Sequence, residues 1–299
     1  MNRAGAGVQK PEAAAVWPAP VRHAGGTVRL LRRSPVAVIG AGLILAAALL
    51  AVAAGVIAPH NPVAQIAQPL LPPGSAYLAG TDELGRDELS RLIYGARVSL
   101  YVGVLSVSIA LALGASSGVV AGFYGGWLDN ALMRAMDVLF SLPAIVLAIA
   151  ITSILGPSLT NAMIAIGIVY APTFARIGRG PTLTVVNLAY IEAARAVGVP
   201  NRQIMLRHVL PNVSAPLLVQ TTVSLSTAIL TEAALSFLGL GTQPPTASWG
   251  LMLSTARQYM LIDPWIALLP GMAIALTVLG FNLLGDGLRD LLDPRLRVV

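Results

Sequence analysis

Long apolar runs separated by short polar connectors set the rhythm of this chain and predict its elements. Val36 to Ala58 is apolar without interruption over 23 residues, enough to cross roughly 30 Å of hydrocarbon as a helix. It exceeds the apolar core of a signal peptide, about 7–15 residues, so it is expected to remain as a first span. Further runs at 98–121, 135–156, 159–177, 213–238 and 264–285 predict five more. Between them lie a polar segment at 59–97, a short connector at 122–134 and a tight turn around Gly156 and Pro157. A long loop at 178–212, a second loop at 239–263 and a short tail complete the pattern. The expected fold is all-α, a polytopic membrane protein with six transmembrane helices.

Charge orients these spans. Of the 19 Lys and Arg residues, Arg86, Arg91, Arg97 and Arg257 fall on one side, leaving 15 on the side of the 178–212 loop. The excess of positive charge on cytoplasmic loops then predicts both termini inside. Composition agrees: 56% hydrophobic, 11% charged and a mean hydropathy of +0.77 leave too little charge to cover a soluble surface. The basic pI of about 10.2 follows from topology, and no nucleic-acid partner is expected. There is no cysteine, which excludes disulfides, thiolate catalysis and cysteine-ligated metals. Lys10 is the single lysine, in a polar tail that reads as disordered. A P-loop needs a lysine on the nucleotide phosphates, so this chain is not expected to hydrolyse ATP itself.

Four motifs change the picture. Gly114, Gly118, Gly122 and Gly126 recur every four residues, a spacing that lets another helix backbone approach closely. Gly114-Ala-Ser116-Ser117-Gly118 matches a hydrolase nucleophile elbow, but that motif needs a strand-to-helix turn and a histidine partner. Here it lies in a hydrophobic helix, and His23, His60 and His208 are not placed to reach Ser116. In 80–100, Asp87 is expected to cap a short helix whose Leu89, Leu92 and Ile93 form an apolar patch. Asp87–Arg91 and Glu88–Arg91 have pairing spacings on it. The segment is either an interfacial helix entering the second span or a docking or gating element. Glu232 falls well inside the fifth span, where a carboxylate costs roughly 2.5–3.5 kcal/mol. It must pair within the bundle or line a wet path.

The 188–212 loop carries the most information. Leu188 to Val197 predicts a short helix, Gly198 the left-handed residue that ends it, and Pro200 the start of the next. Gln203 to Val209 continues that second helix until Pro211 is expected to break it. Ala193, Ala194 and Ala196 are small, which suits a protein groove better than burial in lipid.

At these residues the chain resembles the membrane subunits of bacterial ATP-binding-cassette importers, whose loop carries Glu-Ala-Ala, three residues, Gly, nine residues, then Ile-x-Leu-Pro. Glu192-Ala193-Ala194, Gly198 and Leu210-Pro211 fit in register, and His208 stands at the isoleucine position. His208-Val-Leu-Pro-Asn212 is similar to the peptide and nickel branch. GTDELGRD at 80–87 resembles that branch's N-terminal signature. LSFLGLGTQPPTASWG at 235–250 and GFNLLGDGLRDLLDP at 280–294 resemble the end of its C-type subunit, with Ala247 where proline is common.

The resemblance implies a type I importer permease core preceded by an extra span. Its parts would be a cytoplasmic tail at 1–33, a first transmembrane helix at 34–58 and an extracytoplasmic segment at 59–97. A five-helix core at 98–286 and a cytoplasmic tail at 287–299 follow. Implied partners are a B-type permease, two ATPase subunits that bind ATP and Mg, an extracytoplasmic substrate-binding protein and the lipid bilayer. No cofactor or metal is expected in this chain, and no catalytic residue. Glu192, Ala193, Ala194, Gly198, His208, Leu210 and Pro211 would couple to the ATPases. Asp82, Arg86, Asp87 and Arg91 would act in gating or docking outside. The implied cargo is dipeptides or oligopeptides, with nickel chelates or glutathione-like compounds as alternatives. A proton-coupled secondary transporter using Glu232 is the alternative mechanism.

Overall fold

The structure is a computed structural model that describes residues 35–292. The expectations for residues 1–33 and for most of the C-terminal tail lie outside the described residues. Among the described residues the chain is helical, and its only β features are two isolated bridges. The first span is α1 (Pro35–Val52), which breaks at Ala53 and ends in a short turn, α2 (Ala54–Ile57).

Helix α3 (Glu88–Tyr124) is one continuous helix of 37 residues, about 55 Å long. The short helix expected at Asp87 is therefore the first turn of the second span. Asp87 does cap it, accepting from Ser90 N at 3.0 Å. The expected third span is not straight. Helices α4 (Gly126–Phe140) and α5 (Ala144–Leu155) meet at 90°. Pro143 has no N–H to continue α4 and disfavours helical geometry at Leu142, so the chain turns there and restarts. The described residues hold five helices long and apolar enough to span, or six with this bent pair counted as one.

Helix α6 (Leu159–Val185) packs along α3, and this is the most extensive seam in the bundle. Its basis is the glycine series. A Cβ on Gly114 would overlap the Ala171 carbonyl, and one on Gly118 the Ala175 carbonyl. On Gly122 it would stand 3.0 Å from the Arg179 carbonyl and from Thr182. The backbones touch where side chains would otherwise separate them. Gly126 is not part of the seam: it begins α4 with φ +58° and meets nothing.

After the loop helices α7 (Ala189–Ala196) and α8 (Asn201–Ile204), a π turn at Met205–Val209 leads directly into α9 (Leu210–Phe237). Pro211 does not break the helix as expected. The Leu210 N–H reaches back five residues to the Met205 carbonyl, which widens the turn before the proline ring, where a tight α turn would clash. Helix α10 (Trp249–Ala256) and the last span, α11 (Trp265–Leu292), complete the fold. Trp249 Nε1 donates to the Leu92 carbonyl at 3.0 Å, fastening α10 to α3 over Gly95.

Replacing Gly118 with valine should cost about 1–3 kcal/mol by overpacking and lower the midpoint of thermal unfolding in detergent. Gly180→Ala, on α6 but with open space around it, should leave the packing intact. Equal effects of the two changes would show that the seam does not limit stability.

Candidate functional site

Three groups of residues qualify, and they lie at different heights of the bundle. The first is the 188–212 loop. Ile191 and Ile204 are fully buried and hold α7 and α8 against the bundle. Glu192, Ala193, Ala196 and Gly198 are exposed. Gly198 has φ +80° and open space around it. Its N–H bonds the Arg195 carbonyl at 3.0 Å and the Val199 N–H the Ala194 carbonyl at 3.0 Å, a Schellman closure that glycine serves without strain. Pro200 then starts α8, its carbonyl accepting from Gln203 and Ile204.

The two arms of the loop touch where the Tyr190 and His208 rings meet at 5.9 Å between centroids. Leu210 and Pro211 sit exposed at the head of α9. Two paired arginines brace the neighbouring helix ends. Arg179 forms a bidentate pair with Asp129, both bonds 2.6 Å. Arg176 bonds Asp137 at 2.8 Å and lies over the Phe140 ring at 4.1 Å. Behind the π turn, Leu111, Ala112, Ser116, Arg202, Met205 and Leu206 are among the lining of a mainly apolar groove of about 420 Å³.

The second group lies at the opposite end. Asp82, Arg86, Asp87 and Arg91 are all buried. Asp82 accepts from the backbone of Leu84 and Arg86, both at 2.9 Å, and pairs with Arg86 Nε at 2.5 Å and Arg91 Nε at 3.1 Å. Arg86 also reaches Glu83 at 2.9 Å. The expected Asp87–Arg91 and Glu88–Arg91 pairs do not form. Asp82 takes Arg91, while Asp87 is occupied by Ser90 and by His60 Nδ1 at 3.5 Å. Gly80 and Gly85 turn at φ +79° and +73° against the carbonyls of Leu71 and Ala67. These charges face inward, tying the 59–87 segment over the start of α3. They present no charged surface themselves.

The third group surrounds Glu232, five residues before the end of α9. It is fully buried. Oε1 accepts from Ser236 at 2.7 Å and Thr242 at 3.3 Å, and Oε2 from Ser99 at 3.5 Å. Ser236 Oγ in turn accepts from the Thr242 N–H. The carboxylate therefore clasps α3, α9 and the loop that follows, and it pairs within the bundle. The sequence showed the glutamate but not its hydroxyl partners, which lie up to 133 positions away.

Ser116, in the elbow-like motif, donates to the Ala112 carbonyl within α3. It sits mid-helix, where no elbow can form. Among the described residues no cluster of His, Asp or Glu has the makings of a metal site.

The chain matches two family models. Residues 111–298 match the binding-protein-dependent transport system inner membrane component. Residues 25–73 match the N-terminal transmembrane domain of oligopeptide transport permease C. A dipeptide transport system permease protein from Alkalihalophilus pseudofirmus is 45% identical over 89% of this chain and 88% of its own length. A di/tripeptide transport permease of Pseudomonas aeruginosa is 49% identical over 81% of this chain and 82% of its own. A glutathione transport permease of Pectobacterium atrosepticum is 48% identical over 75% of each. Among solved structures, an inward-facing methionine ABC transporter chain matches with a TM-score of 0.56. That match is 20% identical and covers 68% of this chain and 97% of that one, a likeness of fold.

Changing Glu232 to leucine should strand the hydroxyls of Ser99, Ser236 and Thr242 and cost about 1–3 kcal/mol. Glu232→Gln keeps an oxygen acceptor and should stay close to the parent protein in detergent melting. A leucine variant as stable as the parent would remove the clasp from the account.

Proposed function

The chain belongs to the binding-protein-dependent ABC importer permeases, in the C-type branch, and from that we propose that it forms half of a translocation path for dipeptides or oligopeptides. The observation that carries the mechanism is the 188–212 loop: it is anchored by Ile191 and Ile204 yet open along Glu192, Ala193 and Gly198. Such a surface suits a groove on another protein. The lack of a P-loop lysine supports ATP hydrolysis by other subunits.

In this reading the loop end faces the cytoplasm, where the positive charge concentrates, and two ATPases that bind ATP and Mg receive it. Glu192 makes a polar contact, Ala193 and Ala194 fit the groove, Gly198 makes the turn, and His208 braces the arms through Tyr190. Leu210 and Pro211 carry motion into α9. A B-type permease supplies the other half of the path, and a binding protein delivers cargo outside. The Asp82–Arg86–Asp87–Arg91 knot acts in gating or docking by shaping the segment it holds. Peptide cargo is favoured because two of the three relatives carry dipeptide or tripeptide names. Glutathione, itself a small peptide, fits the third.

Tagged chain purified gently from its host should bring down a second permease and ATPase activity. Gly198→Pro should leave the chain in the membrane but reduce peptide uptake at least tenfold, with ATP hydrolysis no longer stimulated by the loaded binding protein. Normal uptake by that variant would overturn the coupling role of the loop.

A further inference from the structure

The central part of α9 carries a second polar system, separate from Glu232. Gln220, Ser224, Thr227 and Thr231 follow at steps of four, three and four residues, which places them on one face of the helix over roughly 16 Å. Tyr170 of α6 joins this face, its hydroxyl 2.8 Å from Thr231 Oγ1. Thr231 already donates to the Thr227 carbonyl at 2.8 Å, so Tyr170 is the donor.

Ser and Thr hydroxyls in a span commonly bond back to their own helix and then tolerate lipid, as Thr227 does to the carbonyls of Val223 and Ser224. Gln220 is different. Its amide spends one donor on Ser224 Oγ at 3.0 Å and keeps further donor and acceptor capacity, while the side chain is only half-buried. An amide at that depth is costly against hydrocarbon. Glu232 lies about 100° further round the same helix, and there every partner is inside the bundle.

Gln220, Thr227 and Tyr170 are partly exposed, and Ser224 and Thr231 lie buried behind them. Val223 and Leu230, exposed on α9 beside this stripe, form an apolar rim on which a neighbouring helix can close. Resting on the importer reading above, we infer that Gln220, Thr227 and Tyr170, held by the buried hydroxyls of Ser224 and Thr231, line the water-filled path of this subunit and serve the backbone of a passing short peptide. The lining offers an amide and hydroxyls, which exchange hydrogen bonds with peptide amides and with water on similar terms. It offers no charge that would trap a zwitterion, so cargo can enter and leave.

Because the chain has no cysteine, each introduced cysteine is its only thiol. Gln220→Cys and Thr227→Cys would be placed in the complex purified from the host and returned to lipid nanodiscs. Each would be exposed to a negatively charged methanethiosulfonate reagent, and labelling read on this chain by mass. Gln243→Cys in an exposed loop and Leu276→Cys on the apolar face of α11 give the wet and lipid-facing references. Both stripe positions should label at least tenfold faster than Leu276→Cys. If both stay at the Leu276→Cys rate in a complex that retains ATPase subunits, the path assignment is wrong and the importer reading stands. If both label quickly but no ATPase accompanies the chain, the wet stripe stands and the importer reading falls.

Discussion

The close approach of α3 and α6 is the constraint on which the rest of the structure depends. Inside a bilayer there is no hydrophobic force to press one helix on another, so packing must come from contact and hydrogen bonding. Gly114, Gly118 and Gly122 remove the side chains that would hold the two backbones apart. Every other element is then fixed relative to this pair. Arg179 and Asp129 set the angle of α4 at one end, and Trp249 sets α10 over Gly95 at the other. Helix α9 is docked onto α3 by Gly103 against Ile229 and by Ser99 against Glu232.

Charge is distributed according to what surrounds it. At one end of the bundle Asp82 is buried between Arg86 and Arg91, beside Asp87 on Ser90, and their work is to fold an irregular segment that has almost no secondary structure of its own. In the span, a single carboxylate is surrounded by hydroxyls, which satisfy it without a counter-charge. At the other end, Glu192 stays in the open. Acidic residues thus occur in three settings: tying a loop, clasping helices and open to the surroundings.

Much of this was legible in the sequence. The apolar runs located five spans, the glycine period located the seam, and Gly198 with Pro200 located the loop's turn. What escaped was set by tertiary contact or by proline chemistry. The run at 135–156 is apolar enough to span, and only the consequences of Pro143 for its neighbours show that it bends. Arg91 has two acceptors at helical spacing, yet Asp82, brought in by the turns at Gly80 and Gly85, takes it instead. Pro211 signalled a break because a sequence shows where a ring clashes, not that a π turn upstream can make room for it. The stripe on α9 has the right period in the sequence. Its separation from the Glu232 system depends on burial, which periodicity does not report.

The π turn has a consequence for how the loop tolerates change in length. Met205–Val209 holds one more residue than an ideal α turn would need, and no flexible linker separates it from α9. The wide turn absorbs that residue, whereas deleting one from the regular turn of α8 beside it would rotate everything upstream by about 100° around the helix axis. Tyr190 would lose His208, and Glu192 would face a different quarter of that end of the bundle. Substitutions between α7 and α9 alter what the loop offers, whereas insertions and deletions alter where it points. The spacing from Glu192 to Pro211 therefore behaves like the tooth count of a gear: it fixes phase as well as reach.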